Sequence, residues 1–186
     1  MIQTIRKAWG IPELRKKIIF TALILLIFRI GNAIPVPYVD TTLLNDYINQ
    51  LSTTVLGLYN VMSGGAFAEA TLFALGVSPY ITASIVIQLL TVAIPSLERM
   101  AKEGPEGQKK IKKITRYSTI GLAILQAYAY YTLLRSSQFN AVKYTTGAAA
   151  WISGIAIVLA FSAGAMLVVW LGERIDEKGI GNGISL

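Results

Sequence analysis

The chain has 186 residues, of which 54% are hydrophobic and 15% are charged, whereas a soluble domain usually carries about 25% charged residues. It contains no Cys and no His, which excludes disulfides, thiolate or imidazole metal ligands, cysteine nucleophiles and histidine proton transfer. The formal net charge of +7 comes from 17 basic and 10 acidic residues, and in so apolar a chain the positions of the basic residues indicate membrane topology.

Residues 1–17 are basic and precede the first apolar run. Ile2, Ile5 and Trp9 fall on one face of a helix, which predicts a cytoplasmic interfacial segment; the alternative is a frayed tail. A basic stretch followed by an apolar run also resembles a signal peptide. No small-residue cleavage site follows it, and three further apolar windows do, which favours an uncleaved first span.

Four apolar windows predict four membrane crossings, since a spanning helix needs about 20 residues. Fourteen of the 17 basic residues lie before the first window, between the second and third, or after the fourth, so the N-terminus is predicted to be cytoplasmic. The predicted spans are 18–37, 76–95, 117–135 and 148–171. The predicted external loops are 38–62 and 136–147, and the predicted cytoplasmic loops are 96–116 and 172–186.

The second crossing is too short by itself. Ser78-Pro79 is a typical helix start and Pro95 a typical stop. The sixteen residues between them span about 24 Å at 1.5 Å per residue, against a hydrocarbon core of about 30 Å. The outer end of this helix is therefore predicted to stop inside the membrane, and residues 63–75 have to supply the missing depth.

This segment reads SGGAFAEATLFAL, and two or three helical turns are predicted from Ala66 to Leu75. Irregular backbone at membrane depth is tolerated only where protein or a water-filled cavity surrounds it, and Glu69 facing lipid would be costly. We therefore predict a re-entrant short helix that enters a cavity from outside. The alternative is an ordinary kinked span with Glu69 at the outer interface.

The four apolar windows contain few residues that could take part in catalysis or ligand binding. Arg29 is the single charge within the four apolar windows, 18–37, 80–94, 117–134 and 148–171, and no function is predicted for it. No catalytic residue, metal ligand or cofactor is predicted. The GIGNG run at 179–183 lacks the Gly-Lys-Ser/Thr of a phosphate-binding loop. Gln88 and Gln126 are either ordinary interhelical hydrogen-bonding residues or a polar pair at a seam that opens. In the fourth window Ala156, Ala160 and Gly164 predict a close helix–helix contact.

Several long motifs together resemble the SecY family, the central subunit of the bacterial protein-conducting channel. They are FRIGNAIPVP, SGGAFAEATLFALGVSPYITASIVIQLL, EGPEGQKK, TRYSTIGLAILQ and WLGERIDEKGIGNGIS. The similarity runs from about Ile11 to the last residue. It implies an all-α membrane protein, the N-terminal half of a ten-helix bundle, with four transmembrane helices, a plug helix and the start of a fifth span. The chain is accordingly expected to be a fragment.

The resemblance also implies roles for individual residues. A ring of aliphatic side chains that closes the pore matches Val77, Ile81 and Ile184. The plug, which blocks the resting channel from outside, matches Ser63, Gly64, Gly65, Ala66, Phe67, Ala68 and Glu69. The lateral gate, through which membrane helices leave for lipid, matches Thr82, Ile85, Gln88 and Gln126.

The implied function is passive and non-enzymatic. The resemblance implies a pore in the bacterial plasma membrane for unfolded secretory polypeptides, with lateral release of membrane helices. The implied partners are SecE and SecG, the SecA ATPase or a ribosome, signal sequences, nascent chains and the lipid bilayer, with no direct DNA binding. Two alternatives stay open: an ion-coupled secondary transporter with a broken second helix, which should carry acidic or clustered polar groups at mid-depth, and a structural fragment without activity.

Overall fold

The computed structural model describes residues 11–42, 44, 46, 48, 53–136, 140–144 and 146–186. The predicted interfacial face of Ile2, Ile5 and Trp9 lies outside them. Within the described ranges every named element is an α-helix, which agrees with the predicted all-α class. The helices are α1 (Pro12–Gly31), α2 (Val55–Met62), α3 (Ser78–Ala93), α4 (Pro95–Lys102), α5 (Pro105–Arg135) and α6 (Gly147–Lys178).

Helix α1 differs from the window predicted at 18–37, because it begins at Pro12 and ends at Gly31. Proline is favoured in the first helical turn, which explains the early start. The early end follows from Pro35 and Pro37, since a proline disfavours helical backbone at the residue before it and has no N–H to donate. Residues 34–36 instead pair with the chain at 70–72.

Helix α3 confirms the predicted helix between Ser78 and Pro95. Ser78 is its first residue and not its cap: Val77 holds the cap position, with no side-chain cap hydrogen bond. After Ile94 the chain turns by 101° into α4. Helix α4 has no buried residue and carries a Lys102–Glu98 ion pair on its surface.

Helices α5 and α6 pack along a long seam. Thr119, Ala123 and Ala127 recur every fourth residue of α5 and are fully buried, as expected for one helix face. Ile157 and Phe161 are their buried counterparts on α6. At the other end of the seam the Arg116 guanidinium pairs with the Glu173 carboxylate, and both side chains are partly solvent-exposed, so this pair contributes little stability.

Long apolar faces remain on the outside of the bundle. Leu26 of α1, Val92 of α3 and Ile152 of α6 are each at least 60% exposed, which is typical of faces that meet lipid or a partner. Among the described residues, α6 is the one helix long and apolar enough to cross a membrane by itself. The bent pair α3–α4 also meets this criterion when it is counted as one broken segment.

The connection after α1 and the connection between α5 and α6 pair with each other through short extended segments. Val39 forms an isolated β-bridge with Val142, and the Asp40 N–H donates to the Ala141 carbonyl at 2.7 Å. The hydroxyl and N–H of Thr42 both donate to the Asp40 carboxylate, and these bonds hold the pKa of Asp40 below its ordinary value.

Candidate functional site

An apolar cavity of about 330 Å³ lies where α1, α3 and α6 meet. All three predicted pore-ring residues, Val77, Ile81 and Ile184, line it. Ile24 and Phe28 of α1 form another wall. Among the described lining residues none carries a charge, so the cavity offers aliphatic and aromatic surface and few hydrogen-bonding groups.

Val77 and Ile81 reach the cavity from the start of α3. They are four residues apart, which places them on the same helix face, and the Ile81 N–H donates to the Val77 carbonyl at 3.0 Å. Ile81 is 38% exposed, because the described residues leave one side of α3 uncovered. The cavity is therefore open on the side where this face of α3 is exposed.

Ile184 reaches the same cavity from the loop after α6. This loop folds back along the helix, and the backbones of Gly172 and Gly183 nearly touch: a Cβ atom on Gly183 would lie 2.0 Å from the Gly172 carbonyl oxygen. No other residue type fits such an approach. The glycine-rich run that resembles a nucleotide loop thus serves a close backbone contact that delivers Ile184.

The short helix α2 ends at the rim of the cavity. Met62, its last residue, and Ser63 both line the cavity. Gly57 is the one buried residue of α2, whereas Val55, Val61 and Met62 are each more than 70% exposed. Helix α2 lies inside the range predicted as an external loop, 38–62, so that prediction misses a helix.

The predicted plug segment is not helical in the way the sequence suggested. Residues 63–77, hereafter the turn segment, form a succession of turns and no named helix, so the prediction of helical turns from Ala66 to Leu75 is wrong. Gly64 and Gly65 both have positive φ, +66° and +88°, a conformation that glycine adopts without strain and that ends α2 at this point.

Side chains of α2 and Ser63 satisfy the irregular backbone of these turns. The Ala68 N–H donates to the Asn60 side-chain oxygen at 2.9 Å, and the Phe67 N–H donates to the Ser63 hydroxyl at 3.1 Å. The Tyr59 hydroxyl donates to the Leu75 carbonyl at 3.1 Å. These bonds explain how a broken segment persists in an apolar bundle, where an unpaired backbone group is costly.

An aromatic cluster fixes the middle of the same segment. The ring of Phe67 stacks on Tyr130 with centroids 4.6 Å apart, and Tyr59 and Phe161 complete the cluster at 5.0 and 4.9 Å. The Tyr130 hydroxyl donates to the Phe67 carbonyl at 2.5 Å in a buried setting. Such a paired and stacked arrangement is rigid.

Further contacts hold the segment from the other side. The Leu72 N–H donates to the Ile34 carbonyl at 2.9 Å, and the Val36 N–H donates to the Ala70 carbonyl at 3.0 Å. Gly164 faces the Leu72 carbonyl, since a Cβ atom on Gly164 would lie 1.8 Å from that oxygen. Gly164 therefore makes a close contact, as the Ala156, Ala160 and Gly164 spacing predicted. Its partner at this position is the backbone of the turn segment and not a neighbouring helix.

The seven predicted plug residues consequently differ in their surroundings. Ser63 and the run Ala66–Ala68 are buried, whereas Gly64 and Glu69 are exposed and Gly65 is half-buried. Glu69, the one charged residue among the seven, thus has a solvent-exposed side chain.

The predicted lateral-gate residues fall in two places. Thr82, Ile85 and Gln88 all lie exposed on α3, spaced three apart on one face. Gln126 lies on α5 in a separate groove beside Tyr59. The Gln88 amide donates to the Ser84 hydroxyl of its own helix at 3.2 Å; within the described part of the chain, no hydrogen bond joins the two glutamines.

Sequence reasoning missed several residues that shape the site. Met62 and Phe28 line the cavity, and Asn60 and Tyr130 bond the turn segment. The signal for Asn60 was available, because an Asn shortly before a Gly-Gly pair is typical of a side chain that bonds turn backbone. Tyr130 gave no such signal, since its partner lies 63 positions away.

Comparison with known proteins identifies the family. A family model described as SecY matches residues 71–186, which is more than half of the chain. The chain belongs to the SecY family. A protein translocase subunit SecY of Streptomyces scabiei is 43% identical over 192 residues, covering 100% of this chain and 44% of that relative. The SecY subunit of Corynebacterium glutamicum is 41% identical over 190 residues, covering 100% of this chain and 43% of its own length.

A solved structure supports the fold. It is described as Sec61 in the canine ribosome-channel complex from the endoplasmic reticulum, and it superposes with a TM-score of 0.65 at 19% identity. The match covers 98% of this chain and 39% of that one. The chain thus spans less than half the length of the SecY relatives and of the Sec61 chain that it matches.

Proposed function

We propose that this chain forms one wall of a membrane channel that passes unfolded polypeptides. The observation that carries the proposal is the convergence of Val77, Ile81 and Ile184 on one apolar cavity. A narrow ring of aliphatic side chains excludes water and ions by dewetting, yet yields to a chain that passes through it. Val77 and Ile81 come from one end of α3 and Ile184 from the loop after α6, so such a ring closes when the rest of a longer protein supplies the opposite side.

We propose that the chain crosses the bacterial plasma membrane four times with a cytoplasmic N-terminus. Helices α5 and α6, with 31 and 32 residues, are long enough for a hydrocarbon core of about 30 Å and extend beyond it. Helix α3 has 16 residues and crosses together with the turn segment before it. The distribution of Lys and Arg supports this orientation.

We propose that the plug consists of α2 and the Ser63–Gly65 turn, and that the following turns are its anchor. Helix α2 has one buried residue and ends over the cavity. Residues 66–75 are largely buried and held by the Tyr130 cluster. A mostly exposed element that is joined to a fixed one through the bonds of Tyr59 and Asn60 is the arrangement expected of a movable barrier.

We propose that the exposed face of α3 is one side of a lateral gate. Thr82, Ile85 and Gln88 on this face are adjacent to the pore-ring residue Ile81, which supports a path from the cavity to lipid. On this proposal Gln126 lies behind α3 on α5, and it affects the gate through the packing of the two helices.

The proposed partners follow from the family. The relatives are named translocase subunits, and the Sec61 structure was obtained in a complex with a ribosome. We propose a ribosome or the SecA ATPase at the cytoplasmic face, SecE and SecG as companion subunits, and signal sequences and nascent chains as cargo. The ion-coupled transporter is not favoured by membership in this family, and the proposed activity is conduction and not catalysis.

Resting ion conductance tests the proposal. A full-length channel in which these residues replace the matching segment of the Streptomyces scabiei relative, hereafter the chimaeric channel, provides the parent. Replacing Ile81 or Ile184 by Gly removes aliphatic volume from the ring, so each variant should conduct ions at rest while still exporting a secretory reporter. Ile152→Gly, on the exposed face of α6, is the matched control. If neither ring variant leaks more than this control, the proposed constriction is wrong.

A further inference from the structure

Two hydrogen bonds hold the loop that carries Ile184 to neighbouring helices, and a third lies within the loop. The Ile180 N–H donates to the Thr21 hydroxyl of α1 at 3.0 Å. The Gly183 N–H donates to the Asp176 carboxylate of α6 at 2.7 Å. The side-chain oxygen of Asn182 accepts from the Ile184 N–H at 2.9 Å. One of these bonds, that of Gly183, comes from the residue directly before the ring residue and ends on a charged group.

We propose that Asp176 is a positioning residue that sets the closed diameter of the constriction by fixing the Gly183–Ile184 peptide against α6. This inference rests on the proposed pore function and deepens it. The carboxylate holds the Gly183 N–H while the Gly183 backbone lies on Gly172, and a Cβ atom on Gly172 would lie 3.0 Å from the Ile184 side chain. The orientation of the Ile184 side chain in the cavity therefore depends on Asp176, which lies outside the cavity.

The position of Asp176 supports this role over a role in helix stability. It lies in the last turn of α6, which ends at Lys178, where the helix macrodipole disfavours a negative charge. An acidic residue at that place has to be compensated, and the bond to the Gly183 N–H, a charge-assisted hydrogen bond, compensates it. Its neighbour Glu177 pairs instead with Arg174 at 2.6 Å and does not bond the described loop residues 179–186.

The side chain of Asp176 is exposed, so truncating it leaves no buried cavity and the protein is expected to fold. Loss of the bond frees the loop to move away from α6 and carries Ile184 out of the ring. In the resting channel this should appear as ion leakage, with the amount of folded protein unchanged. A residue that served stability alone would change the amount of folded protein instead.

The test compares four variants of the chimaeric channel in planar bilayers. Asp176→Ala should raise the resting conductance per channel about fivefold. Asp176→Asn keeps an acceptor oxygen and should stay within about twofold of the parent. Glu177→Ala, the matched control, should leave conductance unchanged. Ile184→Gly, whose leak is expected from the proposed pore, serves as the benchmark.

The outcomes separate the two proposals. If Ile184→Gly leaks and Asp176→Ala does not, the pore proposal stands and the positioning role is overturned. If Ile184→Gly does not leak, the constriction at Ile184 is wrong and the role of Asp176 falls with it. Equal leakage of Asp176→Ala and Glu177→Ala also overturns the inference, because it indicates a general effect of surface charge. Folded protein is quantified for each variant by size-exclusion chromatography.

Discussion

Gly164→Ala should destabilise the protein although it places a better helix former in the middle of α6. A Cβ atom at this position would lie 1.8 Å from the Leu72 carbonyl oxygen and 2.8 Å from its carbon. The carbonyl cannot retreat freely, because the Leu72 N–H is bonded to Ile34 and the segment is held by Phe67 on Tyr130. The turn segment and α6 would have to separate by more than 1 Å to restore a contact of 3.0 Å.

The magnitude follows from two opposing terms. Replacing Gly by Ala inside a helix stabilises it by about 1 kcal/mol. Overpacking of a tight contact costs about 1–3 kcal/mol, and loss of the Leu72–Ile34 hydrogen bond adds about 1 kcal/mol. The net expectation for Gly164→Ala is a loss of ~1–3 kcal/mol in the free energy of unfolding. Gly121→Ala on α5 is the control, because a Cβ atom there has no neighbour within 4 Å.

The assay is thermal unfolding of the chimaeric channel in detergent, followed by the loss of monodisperse protein. Gly164→Ala should unfold at a lower temperature than the parent, and Gly121→Ala at the same or a higher temperature. Since α6 approaches the segment beside the cavity, Gly164→Ala should also raise the resting conductance. A Gly164→Ala variant as stable as Gly121→Ala would refute the close approach of α6 to Leu72.

Three further predictions address topology, the plug and the gate. Single cysteines at Lys110 and Lys143 should react with an impermeant thiol reagent from opposite sides of the membrane; labelling from the same side would contradict the proposed orientation. Replacing the exposed Val61 and Met62 by Ser, which keeps the bonds of Tyr59 and Asn60, should leak ions and leave the folded yield intact. Deleting 66–70 should reduce the yield, because that stretch is largely buried; the reverse pattern would return the plug to 66–70. Gln88→Leu should let less hydrophobic signal sequences open the gate, because it shifts the gate equilibrium by about 0.6 kcal/mol or less. Export of reporters whose signal sequences carry stepwise shortened leucine runs measures this threshold, and an unchanged threshold would make Gln88 an ordinary surface residue.

The sequence predicts helices well where local signals act alone. Ser78-Pro79 and Pro95 bracket α3 as expected, because proline constrains its own and the preceding residue wherever it occurs. The placement of Val77 and Ile81 on one face follows from helical periodicity. These features depend on neighbours within one or two helical turns, so the local sequence is enough to predict them.

The turn segment could not be predicted in the same way. Ala66 to Leu75 is rich in helix formers, yet Phe67 stacks on Tyr130 and Leu72 pairs with Ile34. These tertiary contacts outweigh a helix propensity of a few tenths of a kcal/mol per residue. The short helix α2 was missed for the complementary reason, since its mostly exposed apolar residues gave no pattern of a buried face. Ile184 was predicted as a pore-ring residue only from the family resemblance. Its position in the cavity depends on the tertiary contact between Gly172 and Gly183, which the local sequence does not reveal.

The central claim is that Val77, Ile81 and Ile184 face a passing polypeptide, and one cross-linking experiment tests it most directly. The 186 residues contain no cysteine, so single cysteines at these three positions in an otherwise cysteine-free chimaeric channel report contact unambiguously. A secretory polypeptide with one cysteine, arrested during export by a folded domain at its end, should form disulfides with all three positions. Ile152→Cys on the exposed face of α6 should form none. Equal yields at Ile152 and at the three cavity positions, or yields at Ile152 alone, would contradict the account.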